Sequence, residues 1–414
     1  MNANENKKLY IATVGTGASG ADIAHALYFS INQQNPDLAL FIVSKKTLAE
    51  TFPFIEEKLK TTKPNLSYSY ELIEEVNEFE TLHKSYLSLI KKYSKQGFRT
   101  KNIVVDYTSG TKSMSAAIVS AGIAADVNTI TYTYGERGEG GRVKSGSEKI
   151  TSLSPTLFST EKIIAEAIVL FNKNLFDASI EKLSSFNDYP HPDFTNKITF
   201  LIQLATALSY WDKFDFNLSF ETLNKINTDQ KLLDEAHKLS VGTNKLTQAA
   251  NVLKEKKLNN YKVLELIANA NRRAAEGKYD DAVARLYRAL EMIGQIEFEK
   301  VFSCSTSDVI LVNIPTEYRD EIKSKFLDGK DGKIKLPLYA AFDLLNKVGN
   351  KTALLFFDHY EQIKKVLHLR NNSILAHGSG PLSGKSFSEA LDLVSLLAPK
   401  DEANIILPKF PMLK

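Results

Sequence analysis

The stretch Leu9-Tyr10-Ile11-Ala12-Thr13-Val14-Gly15-Thr16-Gly17-Ala18-Ser19-Gly20 decides how the N-terminal part of the chain folds. An apolar, β-favouring run stops abruptly at three glycines, and Ala21 to Ile31 then carries helical periodicity. The sequence therefore predicts a strand, a glycine turn and a helix. Working outward, Leu38 to Val43 reads as a second strand ending at Ser44-Lys45-Lys46, Asn102 to Val105 as a third, and Thr129 to Tyr134 as a fourth. Glu74 to Tyr93 and the small-residue run Ser115 to Ala125 read as helices between them, and Glu136 to Gly146 as a polar, glycine-rich turn. Alternating strands and helices predict a parallel, Rossmann-like sheet over roughly the first 150 residues. Its ligand site is expected at the carboxyl ends of the strands.

Composition bounds the rest. At 414 residues the chain exceeds what one hydrophobic core usually supports, so two or three domains are expected. A net charge of +3 with 43% hydrophobic residues describes a soluble globular protein and gives no global electrostatic reason to expect nucleic acid. The single cysteine, Cys304, excludes an intrachain disulfide and a cysteine-based zinc site, which makes a reducing cytoplasm the expected compartment. The polar start Met1 to Lys8 has no apolar signal core, and no run of about 18 apolar residues occurs, so neither export nor a membrane is expected.

Gly15, Gly17 and Gly20 match the G-x-G-x-x-G fingerprint after a strand, but its usual acidic companion at the end of the second strand is replaced by Ser44-Lys45-Lys46. That disfavours a nicotinamide cofactor, although the lysines suit the 2′-phosphate of NADP. What survives is a loop whose backbone N–H groups can approach an anionic ligand, or a glycine turn that is merely tight. The second turn, Asp106-Tyr107-Thr108-Ser109-Gly110-Thr111-Lys112-Ser113-Met114, is not a Walker loop, because Val105 stands where the first glycine belongs. Either its hydroxyls cap the next helix and Lys112 is solvated, or backbone amides, Thr108, Ser109, Thr111 and Lys112 bind phosphate or ribose oxygens together. Two polar turns on one sheet edge favour a nucleotide site.

Gly15-Thr16-Gly17 after the first strand, together with Asp106 to Met114, resembles the CARF (CRISPR-associated Rossmann fold) domain. The resemblance implies a sensor of cyclic oligoadenylate, bound across a two-fold axis between two copies, with Gly15, Thr16, Gly17, Thr108, Ser109, Gly110, Thr111 and Lys112 as ligand-binding residues.

Beyond a boundary at Ser152-Leu-Ser-Pro155-Thr the chain reads as helical. Three segments, Leu170 to Ala178, Tyr210 to Phe216 and Ala275 to Ala282, share one pattern. Each is a helix, a polar turn, an aromatic with Asp, and another helix, as in tetratricopeptide-like pairs at irregular spacing. Trp211 is expected in the core. Arg285 and Arg288 share a face that is either solvated or set against RNA phosphates, and Lys330 to Lys335 is a basic loop. The predicted organisation is a Rossmann-like domain over 1–152, a helical connecting region over 153–260 and an all-α domain over 261–414.

Near the C-terminus stands Leu369-Arg370-Asn371-Asn372-Ser373-Ile374-Leu375-Ala376-His377-Gly378. With Phe356, Ile363, Val366 and Leu367 at helical spacing upstream, it is expected to continue one amphipathic helix that Gly378 stops. Seven residues at about 100° each put Arg370 and His377 on one face, roughly 10 Å apart along the axis.

Arg370-Asn371 followed by His377 resembles the R-x(4–6)-H motif of HEPN ribonucleases, with six intervening residues, the long end of that range. The chemistry fits RNA cleavage without a metal. A base takes the proton of a 2′-hydroxyl that attacks its own 3′-phosphate, and a fixed cation stabilises the phosphorane. His377 suits the proton transfers and Arg370 the phosphate, while Asn371 orients either one. At a helix C-terminus the dipole favours protonated His377, which suits an acid at least as well as a base. The combined resemblance implies a homodimeric CARF-HEPN ribonuclease of type III CRISPR defence, activated by cyclic oligoadenylate and acting on single-stranded RNA. A non-catalytic nucleotide-sensing adaptor and an NADP-linked oxidoreductase are the competing readings.

Overall fold

The computed structural model describes residues 6–17, 19–136, 146–185, 192–372, 380–399 and 407–414. The chain divides into two compact units, Met1–Glu166 with Ser184–Thr195, and Ala167–Leu183 with Asn196–Lys414.

In the first unit the elements run β1 (Leu9–Thr13), α1 (Gly20–Gln34), β2 (Leu38–Ser44), α2 (Lys45–Glu50), α3 (Phe52–Thr62), β3 (Ser67–Ile73), α4 (Phe79–Lys95), β4 (Ile103–Asp106), α5 (Lys112–Ala124), β5 (Thr129–Tyr134) and β6 (Lys149–Leu153). The strand order is β3-β2-β1-β4-β5-β6, parallel through β5, with β6 antiparallel at the edge. Both faces of β1 are covered, which explains its nearly unbroken apolar run. Leu9 and Ile11 pack with α4 and α5 side chains such as Tyr86 and Ile118, whereas Tyr10 and Ala12 pack with Leu27 of α1 and Phe52 of α3. The predicted Rossmann-like sheet is present, and β3 and β6 join it beyond the strands expected. The helix expected from Glu74 begins at Phe79, because the chain up to Ile73 is still in β3. The turn expected at Glu136 to Gly146 lies mostly outside the described residues.

The helices that follow are α6 (Thr156–Asn172), α7 (Phe176–Ser184), α8 (Thr195–Asp212), α9 (Phe216–Thr228), α10 (Gln230–Lys238), α11 (Thr243–Leu253), α12 (Asn260–Ala275), α13 (Tyr279–Phe302), α14 (Thr316–Phe326), α15 (Leu338–Lys347), α16 (Lys351–Asp358), α17 (Tyr360–Asn372) and α18 (Gly384–Leu397). The three similar segments share one backbone device. Asn174 (φ 60), Phe214 (φ 63) and Gly277 (φ 76) adopt the left-handed conformation. Their N–H groups donate to Phe171, Trp211 and Ala274 carbonyls, each at 2.9 Å, and the following N–H groups reach Leu170, Tyr210 and Arg273 carbonyls at 2.9–3.1 Å. These are Schellman caps, in which a left-handed residue satisfies the last free carbonyls of a helix. Gly277→Ala meets nothing within 4 Å, so it isolates the backbone cost. We expect a loss of about 1–2 kcal/mol, read as a lower unfolding midpoint with an unchanged denaturant slope. Phe214 bears that same cost in the native chain.

Trp211 is fully buried and packs edge-on against Phe410, 5.7 Å between ring centroids, in the core as expected. Arg272 pairs with Asp212 at 2.8 Å and Glu265 at 2.5 Å, and Arg273 pairs with Asp212 at 2.5 Å and Glu276 at 2.7 Å. Burial pushes the Glu265 carboxyl above the usual range, a shift that the Arg272 charge opposes. The basic loop Lys330 to Lys335 is a turn in which Lys335 bridges Asp328 and Asp331 at 2.9 and 2.7 Å.

One expectation is corrected here. Phe356 belongs to α16 and not to the helix of Arg370, because the chain breaks at His359 (φ −111, ψ 19) before α17 begins. Phe356 stacks on Phe342 at 4.0 Å in the core, and buried Ile363 and Val366 anchor α17 to the same cluster.

Candidate functional site

The two glycine turns follow β1 and β4, the neighbouring strands at which the order of the parallel sheet reverses, which is where a doubly wound sheet binds ligands. They bind one another. Gly15 N–H donates to Ser109 Oγ at 2.8 Å, the Thr13 hydroxyl donates to the Ser109 carbonyl, and Thr51 Oγ1 donates to the Gly15 carbonyl at 3.1 Å. A Cβ on Gly15 would lie 2.7 Å from Gly110 N. Gly20 serves packing, since its Cβ would lie 2.6 Å from the Phe54 ring. Gly17 (φ 53) and Gly110 (φ 117) need glycine for conformation as well.

A cavity of about 630 Å³ opens along this edge. Of the expected ligand residues, Gly15, Thr16, Gly17, Gly110 and Thr111 line it. Thr108, Ser109 and Lys112 do not. Thr108 Oγ1 accepts from Thr133 N–H at 2.8 Å, and Ser109 is 4% exposed beneath Gly15. Lys112 is exposed at the first position of α5, with no ion-pair partner among the described residues. Thr111 caps α5, accepting from Met114 N–H at 3.1 Å and donating to the Val76 carbonyl at 2.5 Å. The ends of β2 and β3 complete the wall with Ser44, Lys45, Lys46, Thr47, Glu74 and Val76. Ser44-Lys45-Lys46, which stands where an acidic residue would bind a ribose and whose lysines suit a phosphate, thus belongs to the wall. Lys45 makes no ion pair among the described residues, and Lys46 lies 3.9 Å from Glu50, so the wall offers two cations to an anionic ligand.

Under the second turn, fully buried Asp106 organises the entry to α5. It accepts from Ser30 Oγ at 2.5 Å, Thr131 Oγ1 at 3.1 Å and Thr108 N–H at 2.7 Å. Burial first, and the Asp106 charge second, raise the buried Tyr10 hydroxyl well above the ordinary tyrosine pKa. Asp106→Ala strands three donors. We expect a loss of about 2–4 kcal/mol in chemical denaturation, with Asp106→Asn recovering part of it.

In the second unit, Arg370 and Asn371 fall in the last turn of α17, and Asn371 is exposed. His377 and the expected stop at Gly378 lie outside the described residues. Among the described residues no group of three or more His, Cys, Asp or Glu side chains is arranged to hold a metal, and no helix is long and apolar enough to cross a membrane.

No curated protein matches the chain by sequence. Two family models do match, described as the Csm6 6H domain over residues 160–253 and the Csm6 HEPN domain over residues 250–400. Among solved structures, Enterococcus italicus Csm6 bound to cyclic hexa-2′-fluoro-hexa-dAMP matches with a TM-score of 0.63 and 12% identity, covering 95% of this chain and 94% of that one. The fold likeness thus extends through the N-terminal sheet, and the two family models together span residues 160–400, more than half of the sequence. With an α/β domain of CARF type ahead of a 6H region and a HEPN domain, the chain belongs to the Csm6 family of CARF-HEPN endoribonucleases of type III CRISPR defence.

Proposed function

We propose that this chain acts as a cytoplasmic homodimer that cleaves single-stranded RNA when cyclic oligoadenylate occupies the cavity between the Gly15 and Gly110 turns. Residues 1–152 sense the ligand, 153–260 connect, and 261–414 cut. The observation that carries the reading is a cavity of about 630 Å³ with glycine turns and two lysines, at the switch point of a HEPN-family chain. Repeated 3′-5′ phosphates suit such a wall. Thr108, Ser109 and Lys112 serve the site from the α5 side, where Thr108 and Ser109 hold the turns in place. The relative's ligand is a cyclic hexanucleotide, which makes the six-membered adenylate ring the first activator to test.

In the HEPN domain Arg370 stabilises the charge on the phosphorane, and His377 moves the proton. The 2′-oxygen forms a bond to phosphorus as the bond from phosphorus to the 5′-oxygen breaks, leaving a 2′,3′-cyclic phosphate and a 5′-hydroxyl. Asn371 positions the phosphate or the imidazole. No cofactor takes part, and the cyclic adenylate acts only as an activator, by favouring one of two dimer states.

Incubating the purified protein with labelled RNA and cyclic adenylates of each ring size, with mass spectrometry of the ends, tests this. Cleavage only in the presence of one ring size, with cyclic phosphate ends, is the expected result. Activator binding without any cleavage would leave a non-catalytic sensor instead.

A further inference from the structure

In the second unit a cavity of about 800 Å³ opens where the Tyr210 to Phe216 turn faces α12 and α13, a size within the roughly 300–1,000 Å³ of small-molecule sites. Five Lys or Arg side chains line it, against two carboxylates. The carboxylate of Asp215 is already used, accepting from Leu218 N–H at 3.1 Å to cap α9. Lys213 pairs with Asp177 at 2.7 Å and Arg285 with Asp281, whereas two of the five cations lack an anion among the described residues. Lys262 Nζ rests on the backbone carbonyls of Glu255 and Lys257, and Lys254 Nζ sits 3.6 Å above the Phe220 ring. Neither makes an ion pair among the described residues. Arg288 pairs with Glu291 at 3.3 Å and also reaches Gln295 at 3.0 Å. Lys254 and Lys262 are therefore the uncompensated positive charges of the cavity wall.

The aromatic wall is the second observation. Phe214 occupies the left-handed cap position that Asn174 and Gly277 fill in the sister turns, residue types that adopt it with far less strain. Its ring lines the cavity, 6.0 Å from Phe216 and 5.9 Å from the Arg285 guanidinium. A strained bulky residue persists where surrounding structure or function requires its side chain. Aromatic faces in a cavity that also holds unpaired lysines are the arrangement that stacks a base and holds its phosphate.

We propose that this cavity binds a nucleoside phosphate, with the base against Phe214 and Phe216 and the phosphate toward Lys254, Lys262 and Arg288. The nucleotide is either free or part of an RNA strand, and the chemistry of recognition is the same. The assignment does not depend on the activator site or on the residues proposed for RNA cleavage.

The test uses the full chain carrying His377→Ala, so that RNA is not consumed, and two probes: AMP by calorimetry and fluorescein-labelled single-stranded RNA by anisotropy. In this background Lys254→Glu with Arg288→Glu is expected to weaken one probe by about tenfold or more and to flatten its salt dependence. Phe214→Asn, which the Asn174 turn shows to be compatible with the cap, is expected to weaken the same probe severalfold at an undiminished thermal midpoint. Loss of AMP binding assigns the pocket to free nucleotides, and loss of RNA binding alone assigns it to a strand. Unchanged affinity of both probes in both variants, or no binding of either probe by the parent, overturns the proposal.

Discussion

His377→Ala is expected to lower activated RNA cleavage by about 10²–10⁴-fold while leaving binding of the cyclic activator unchanged. Cleavage moves one proton off the 2′-hydroxyl and one onto the 5′-oxygen, and His377 is the side chain in this segment whose ordinary pKa allows both directions near neutrality. Arg370→Ala is expected to be as damaging, because the phosphorane charge would then lack a guanidinium. The two residues are seven apart in sequence. On a helix that separation puts them roughly 10 Å apart along the axis, too far to hydrogen-bond each other directly. If two such helices meet antiparallel about a two-fold axis, Arg370 of one chain can approach His377 of the other. Mixing the two inactive variants tests this directly. A heterodimer of Arg370→Ala and His377→Ala then contains one fully intact site and one doubly defective site, so random reassortment restores about a quarter of the parent rate. If each site were built within one chain, every site would carry a defect and the mixture would stay inactive.

How much of this was legible in the sequence follows from which signals are local. The β1 run announced itself because both of its faces are buried, so only Thr13, itself fully buried, interrupts the apolar residues from Leu9 to Val14. The edge strand β3 did not, because Tyr70 and Leu72 are nearly half exposed and alternate with Ser69 and Glu71, a pattern too mixed to read as a buried strand. The Gly15 and Ser109 turns were legible as a pair because both follow strands of one parallel sheet, at whose carboxyl ends ligands bind. The division of labour within them was not. Whether Thr108 and Ser109 face a ligand or brace the turns depends on Thr133 and Gly15, residues remote in sequence that meet only through the strand order. The contribution of Ser44 to Thr47 likewise requires knowing that β2 lies beside β1. Phe356 was assigned to the wrong helix because apolar spacing continues across the break at His359, where only the backbone changes.

Gly15→Val is expected to abolish activator-dependent cleavage and to destabilise the N-terminal unit. The reason is contact, not conformation. A Cβ at this position would lie 2.7 Å from Gly110 N and 2.9 Å from Gly110 Cα, and these are backbone atoms that no rotamer change moves away. Gly110 cannot retreat freely, because its own Cβ position already lies 3.2 Å from both Thr13 Oγ1 and Met114 Cβ. The turns must therefore separate, which breaks the Gly15 N–H bond to Ser109 Oγ and the Thr13 hydroxyl bond to the Ser109 carbonyl. Overpacking costs about 1–3 kcal/mol and each lost hydrogen bond about 1 kcal/mol. The total of roughly 3–5 kcal/mol corresponds to a fall of about 6–20 °C in the midpoint of a unit of this size. Gly146→Ala supplies the contrast. Gly146 has φ 89 but nothing within 4 Å of its Cβ position, so that variant bears only a backbone cost of about 1–2 kcal/mol and is expected to respond to activator normally. If Gly15→Val melts like the parent and is still activated, the contact between the two turns does not shape the ligand site. If both variants lose activation equally, general softening of the unit, and not the geometry of the turns, governs the response.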